Sequence, residues 1–233
     1  MKKKIKIFCD TANILLIKKY NKHSLVKGFT TNPSLMKLSG AKNYENYSKK
    51  ILKICKDKPI SFEVFSDDPF NMEQQALKIN SWGKNVYVKI PVVNTKGKFM
   101  GPLIKKLSKK GIKLNITAVY TIKQVQYILN NIDKSKVIIS IFAGRMADAG
   151  KDPVPIIKTA TKMSIKKKNV EILWASTREA YNHLQAKQLN CHIITTPPAI
   201  IDKISNFGKS YEQLTLDTVQ AFYKDAKNAK FKL

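Results

Sequence analysis

Short apolar runs alternate with longer amphipathic stretches from one end of the chain to the other. The short runs read as strands: IKIF at 5–8, LVKGF at 25–29, ISFEVF at 60–65 and VYVKI at 86–90, followed by IKLNIT at 112–117, VIISIF at 137–142, VEILWA at 170–175 and CHIIT at 191–195. Between them lie helix-like stretches such as NYENYSKKILKIC, NMEQQALKI, GPLIKKLSKK and IKQVQYILNN, then PVPIIKTATKM, REAYNHLQAK and PAIIDKIS. Strands that alternate with helices imply parallel pairing, because a crossover must carry the chain back to the same end of the sheet. Eight such units within 233 residues predict an α/β fold, a single (β/α)8 TIM barrel at the small end of its size range. An open doubly-wound sheet is the competitor, but no G-x-G-x-x-G follows the first run. Residues 212–230 form an extra amphipathic C-terminal helix, and no Gly/Ser/Pro-rich stretch divides the chain, so 1–233 reads as one domain.

Charge raises the question of nucleic acid, since 43 Lys plus Arg face 16 Asp plus Glu for a formal net charge of +27. Nucleic-acid binding calls for a clustered stripe with Arg and aromatic residues. Here the lysines are spread over nearly every polar segment, as in KKILKICKDK, LIKKLSKK and SIKKKN, and read as solvated helix faces. No specific nucleic-acid partner is expected, and polyanion binding stands as a remote alternative function. Cys9, Cys55 and Cys191 are odd in number and lack CxxC spacing, and His23, His183 and His192 are scattered, so neither a disulfide framework, a metal site nor a cofactor is indicated. No apolar run approaches the ~20 residues of a membrane span, and the apolar stretch in the basic start MKKKIKIFCD is too short for a signal segment. A cytoplasmic protein is the default expectation.

Only two of the 43 cations are arginines, Arg145 and Arg178, and each follows a strand-like run. Arg grips a phosphate or carboxylate with a planar fork, whereas Lys is a point charge. Two arginines placed this way in a lysine-rich chain suggest one anion site; two structural salt bridges would account for them equally. In a barrel, chemistry belongs at the carboxyl ends of the strands. The polar residues there are Asp10, then Thr30, Thr31 and Asn32, then Glu63, Lys89, Asn115 and Thr117, with Phe142 leading to Arg145 and Ser176 to Arg178. Each has a bland reading, since Asp10 and Asn32 could cap helices and Thr117 could pack. Together they are costly to bury without partners or a ligand.

Lys89 is the sharpest of these, near the end of VYVKIP among residues that a barrel strand buries. Burial lowers a lysine pKa, and the neutral amine is the nucleophile of Schiff-base chemistry. A lysine that pairs with Glu63 or Asp10 is the alternative. Lys27 and Lys113 lie earlier along their strands, nearer the inert face.

DTAN at 10–13, GFTTNPSL at 28–35, VKIP at 88–91, LNITAVY at 114–120, FAGR at 142–145, ASTR at 175–178 and TPP at 196–198 resemble, in order, the transaldolase family. The resemblance is to the short group that also contains fructose-6-phosphate aldolases. It implies a (β/α)8 barrel, sugar phosphate substrates, and Schiff-base transfer of a dihydroxyacetone unit from a ketose phosphate to an aldose phosphate in the pentose phosphate pathway. It also implies a homo-oligomer, a ring of five or ten in which the tail helix packs on a neighbouring subunit. Carried over by position, Lys89 is the Schiff-base lysine and Asp10 the acid/base. Glu63 and Thr117 hold the water that shuttles protons. Asn32 and Asn115 bind hydroxyls of the three-carbon intermediate. Arg145, Ser176 and Arg178 bind phosphate. The aldolases of this group tend to have Gln where Glu63 stands and Tyr where Phe142 stands, so both positions favour transfer over release of free dihydroxyacetone. The segment PVVNTKGKFMGP is longer than usual, and Ala147 replaces a commonly acidic residue, with Asp148 retained.

Overall fold

The structure, a computed structural model, describes residues 4–232; Met1–Lys3 of the basic start, together with Leu233, lie outside the described residues. Eight parallel strands close into a barrel in chain order: β1 (Lys6–Asp10), β2 (Val26–Thr30), β3 (Ile60–Glu63), β4 (Val86–Pro91), β5 (Leu114–Val119), β6 (Val137–Ile141), β7 (Val170–Trp174) and β8 (Ile193–Thr196), with β1 paired to β8. Every predicted run overlaps one of these strands, and β1, β2, β4, β5 and β8 extend one or two residues beyond theirs. The helices are α1 (Ile14–Asn21), α2 (Pro33–Leu38), α3 (Tyr44–Ile54), α4 (Pro69–Asn80), α5 (Gly101–Lys109) and α6 (Ile122–Asn130). They continue as α7 (Ala143–Asp148), α8 (Val154–Ser164), α9 (Tyr181–Gln188), α10 (Pro198–Ser205) and α11 (Tyr211–Asn228).

Alternation along each strand divides the apolar residues between two cores. Outward side chains such as Val88, Ile90, Ile139 and Ile172 join the helices in the larger one. Inward residues Phe8, Tyr87, Ile138, Leu173 and Ile193 fill the lower barrel. Gly28 makes room for this plug, since a Cβ there would meet the Phe8 ring at 2.6 Å. Two residues further along most strands the inward positions turn polar, so the carboxyl end of the barrel is where the buried hydrophilic groups collect.

The strand-end motifs fold as caps and turns. In DTAN, Asn13 caps α1 by accepting from the Leu15 and Leu16 N–H groups, which leaves Asp10 facing the barrel mouth. In TTNPSL, Asn32 accepts from the Leu35 N–H, and Pro33 occupies the first turn of α2, where its missing N–H costs nothing. The long segment after β4 folds back on itself through an antiparallel bridge between Val93 and Phe99, and Thr95 donates twice to Asp67. Beyond the barrel, α11 has no buried residue and exposes Leu214, Leu216, Val219, Phe222 and Tyr223.

Candidate active site

Lys89 rises from β4 into the carboxyl-end mouth with its side chain only 8% exposed. Its Nζ donates to the Thr31 carbonyl at 3.1 Å and lies 3.1 Å from Oε2 of Glu63, its register neighbour on β3. The nucleophile and ion-pair readings of Lys89 therefore meet in one geometry. A carboxylate at hydrogen-bond distance from an ammonium can hold it in place and also take a proton from it. Glu63 is itself fixed, because its backbone N–H donates to the Tyr44 hydroxyl at 2.9 Å.

Asp10 stands on β1 in the same mouth. Thr30 donates to its Oδ1 at 2.6 Å, and Thr195 lies 2.5 Å from the Thr30 hydroxyl. Because Thr30 spends its proton on the carboxylate, Thr195 is the donor to Thr30, and a hydroxyl chain runs from β8 through β2 to Asp10. Burial raises the Asp10 pKa above the ordinary carboxylate range, while the Thr30 hydrogen bond and the Lys89 charge pull it back.

A cavity of about 200 Å³ opens beside these groups. Asp10, Asn32, Lys89 and Thr117 line it on one side, Phe142, Arg145, Ser176 and Arg178 on the other. The chain's two arginines thus reach one pocket from separate elements, Arg145 from α7 and Arg178 from the segment after β7. The Arg145 guanidinium lies 5.5 Å from the centre of the Phe142 ring. Arg178 is held by Asp148 and, at its backbone N–H, by Oδ1 of Asn182. The two segments touch through backbone: Ser176 adopts a left-handed φ of 63°, and a Cβ on Gly144 in α7 would lie 1.5 Å from the Ser176 carbonyl oxygen. Only glycine permits that approach.

Thr117 carries an unspent hydroxyl. Its Oγ1 is buried without a hydrogen-bond partner, beside a β5 irregularity where Ala118 takes a φ of 58°. Orphaned buried hydroxyls are uncommon, and one on a polar cavity wall marks a place for a ligand or water. Asn32 keeps its Nδ2 for the cavity while Oδ1 caps α2.

Not every sequence-selected residue lines the cavity. Asn115 is fully buried behind it, donating to the Ser61 hydroxyl and accepting from Ser140. Glu63 reaches the site through Lys89. Conversely, Thr30, Ser140, Thr177 and Thr195 line the cavity, and of these only Thr30 stands out at a strand end in the sequence. Ser140 is two residues before Phe142 and shares its face, so strand alternation was the available signal. Lys27 and Lys113 lie away from this mouth; Lys27 is exposed on β2 and Lys113 donates to the Lys84 carbonyl.

A closed (β/α)8 barrel with a buried lysine, two carboxylates and a pair of arginines gathered at its carboxyl-end mouth has its reactive side chains where barrel enzymes carry their chemistry. The chain matches the family described as Transaldolase/Fructose-6-phosphate aldolase over residues 7–233, and it belongs to that family of aldolase/transaldolase-type enzymes. It is 37% identical over 216 residues to a probable transaldolase of Thermoplasma volcanium, covering 91% of this chain and 92% of that one. It is 33% identical over 230 residues to a probable transaldolase of Thermoanaerobacter, covering 98% and 100%. A probable transaldolase of Nitrosopumilus maritimus is 32% identical over 222 residues, covering 90% and 96%. Among solved structures, the KGPDC of Streptococcus mutans aligns with a TM-score of 0.60 at 11% identity, covering 86% of this chain and 91% of that one, a likeness of fold alone.

Proposed function

We propose that the chain is a Schiff-base transaldolase that moves a dihydroxyacetone unit between sugar phosphates. The observation that supports this most directly is the placement of Lys89 against Glu63 in a cavity that also holds Asp10 and both arginines. Glu63 accepts a proton from the Lys89 ammonium, and the neutral amine attacks the C2 ketone of a ketose phosphate. Loss of water from the carbinolamine gives an iminium; Glu63 and the free Thr117 hydroxyl hold that water and relay its protons. The Asp10 carboxylate then takes the C4 hydroxyl proton. The C3–C4 bond breaks, its electron pair passes to the iminium, and the first aldose phosphate leaves. The enamine on Lys89 attacks the acceptor aldehyde, Asp10 returns its proton to the new alkoxide, and hydrolysis frees the product. Arg145, Ser176 and Arg178 anchor the phosphate, Asn32 addresses the hydroxyls of the three-carbon unit, and Asn115 acts from behind by fixing Ser140.

Fructose 6-phosphate and sedoheptulose 7-phosphate are the donors of this reading, within the pentose phosphate pathway of the cytoplasm. The rival reading, an aldolase that releases free dihydroxyacetone, uses the same residues and differs only in the fate of the enamine. Phe142 favours transfer, because its ring brings no hydroxyl to hold a protonating water. The exposed apolar face of α11 supports a homo-oligomer in which a second copy covers it. Following fructose 6-phosphate consumption with and without erythrose 4-phosphate tests the function. Turnover that needs the acceptor supports a transaldolase, and equal turnover without it establishes the aldolase.

A further inference from the structure

The opposite end of the barrel carries an unusual charge distribution. Lys6, Lys84, Lys113, Lys136 and Lys168 stand at, or within two residues of, the starts of β1, β4, β5, β6 and β7. They surround the amino-end mouth, the face that serves stability rather than chemistry in barrels of this kind. A cavity of about 850 Å³ opens there, lined by Lys6, Lys134, Lys136, Lys167 and Lys168 with a single carboxylate, Glu171. That carboxylate is already used, since Lys6 Nζ lies 2.6 Å from its Oε1. Among the described residues, the other four ammonium groups have no carboxylate within ion-pair distance.

Helix ends explain part of this. Lys134 follows α6 and Lys167 follows α8, where cations offset exposed carbonyl groups. That accounts for one lysine per helix end, and leaves Lys136 and Lys168 adding repulsion to a concave site. Asp133 and Asp57 stand on the same face beside Lys134 and Lys136, but neither lines this cavity or lies within ion-pair distance of its lysines. Tyr87 forms part of the cavity wall, and burial followed by the Glu171 charge pushes its phenol up to about 12, so it stays a neutral donor at physiological pH.

We propose that the amino-end mouth binds a compact oligophosphate, at a site separate from the sugar-phosphate pocket. One phosphate carries about −1.5 to −2 charges at neutral pH, fewer than the four unpaired lysines would neutralise. Lysine suits the task, because point charges can surround a chain of phosphoryl oxygens without the fixed geometry of a fork. A single-stranded nucleic acid fits less well. It needs a track with exposed aromatic platforms, whereas Tyr87 is 8% exposed and its ring is packed into the lower barrel core.

The test is calorimetric titration of the intact protein with inorganic tripolyphosphate. Lys136→Gln/Lys167→Gln/Lys168→Gln should weaken binding at least about tenfold. Removing equal charge at Lys37, Lys50 and Lys53, on outer helices, should leave affinity within about twofold. Transfer activity without tripolyphosphate should be unchanged in both variants. In the unaltered protein, tripolyphosphate should shield Lys134, Lys136, Lys167 and Lys168 from an amine-reactive label, a reading that does not depend on how the variants fold. Equal weakening in both triple variants would show a diffuse lysine field and overturn the proposal. So would displacement of tripolyphosphate by saturating fructose 6-phosphate, or a single-stranded oligonucleotide that binds the same lysines more tightly than tripolyphosphate does.

Discussion

Asp148 grips the guanidinium of Arg178 along one edge: Nε lies 3.0 Å from both carboxylate oxygens and Nη2 lies 2.5 Å from Oδ2. The contact holds the Asp148 carboxyl below its ordinary pKa and the Arg178 pKa above its own, each chiefly through the hydrogen bonds they share. An arginine has five N–H donors, and this grip leaves the Nη1 end for a ligand. Asp148 therefore aims the fork as well as neutralising it. Arg178→Lys should raise KM for phosphorylated donors by the loss of one charge-assisted contact, about 1.5–3 kcal/mol. Unphosphorylated donors such as fructose should be little affected. Asp148→Asn should raise KM for the same substrates by up to about fivefold, as expected for an exposed ion pair. A fall in KM would show that Asp148 competes with phosphate instead of positioning its receptor.

Lys89 is expected to carry the covalent intermediate. Borohydride added with fructose 6-phosphate should attach a three-carbon mass to the peptide containing VYVKIP. Lys89→Ala should remove both the label and transfer while leaving the far-ultraviolet dichroism unchanged. Labelling of Lys27 or Lys113 would refute the assignment.

The acid limb of the pH profile should report Asp10. Transfer needs its carboxylate, and burial has raised its pKa, so activity should fall at a higher pH than an ordinary aspartate would give. Thr30→Val deletes a hydrogen bond to the charged form and should move that limb further up; a downward move would exclude Asp10 as the group titrating. The stability consequence has the opposite sense from a salt-bridged aspartate. The native state holds this proton more tightly than the unfolded chain does. Its stabilising contribution is complete below the unfolded pKa and is lost as pH rises through the folded one. Asp10→Asn should therefore be inactive and, at neutral pH, melt no lower than the wild type.

Phe142→Tyr tests what becomes of the enamine. The added hydroxyl would enter the cavity shared with Lys89 and could hold a protonating water. A change of ~1.4 kcal/mol between the two barriers alters the partition tenfold. Free dihydroxyacetone from fructose 6-phosphate alone should rise in the variant and stay low in the wild type.

Strands were legible because each is a short, mostly apolar run between turn residues, and barrel closure followed from their number and alternation with helices. The helices α2 and α7, six residues each, are too short to show a period. Their start signals are local, an Asn-Pro cap for one and none for the other. Candidate site residues stood out where a polar group interrupts a strand end, as at Asp10, Glu63 and Lys89. Ser140 and Thr195 escaped notice because small hydroxyls hardly disturb an apolar pattern. Asn115 illustrates the reverse: its polarity stood out, yet the hydrogen bonds of Ser61 and Ser140 hold it behind the cavity wall. Sequence marks a group that must find a partner, and only the fold shows whether that partner is protein or ligand.

The contact of Gly144 with the Ser176 carbonyl makes one end of the pocket a fixed datum. Backbone rests on backbone there, and any side chain at 144 would force α7 away from the Ser176 segment, so glycine sets the spacing of the two arginines. In the proposed reaction, donor length is then adjustable from the other end, through residues such as Asn32, Ser140 and Phe142 that bound the cavity between Lys89 and the arginines. A laboratory search for altered donor length should accordingly gather its gains at those positions and recover nothing at 144, so that substrate length changes while the demand for a terminal phosphate persists.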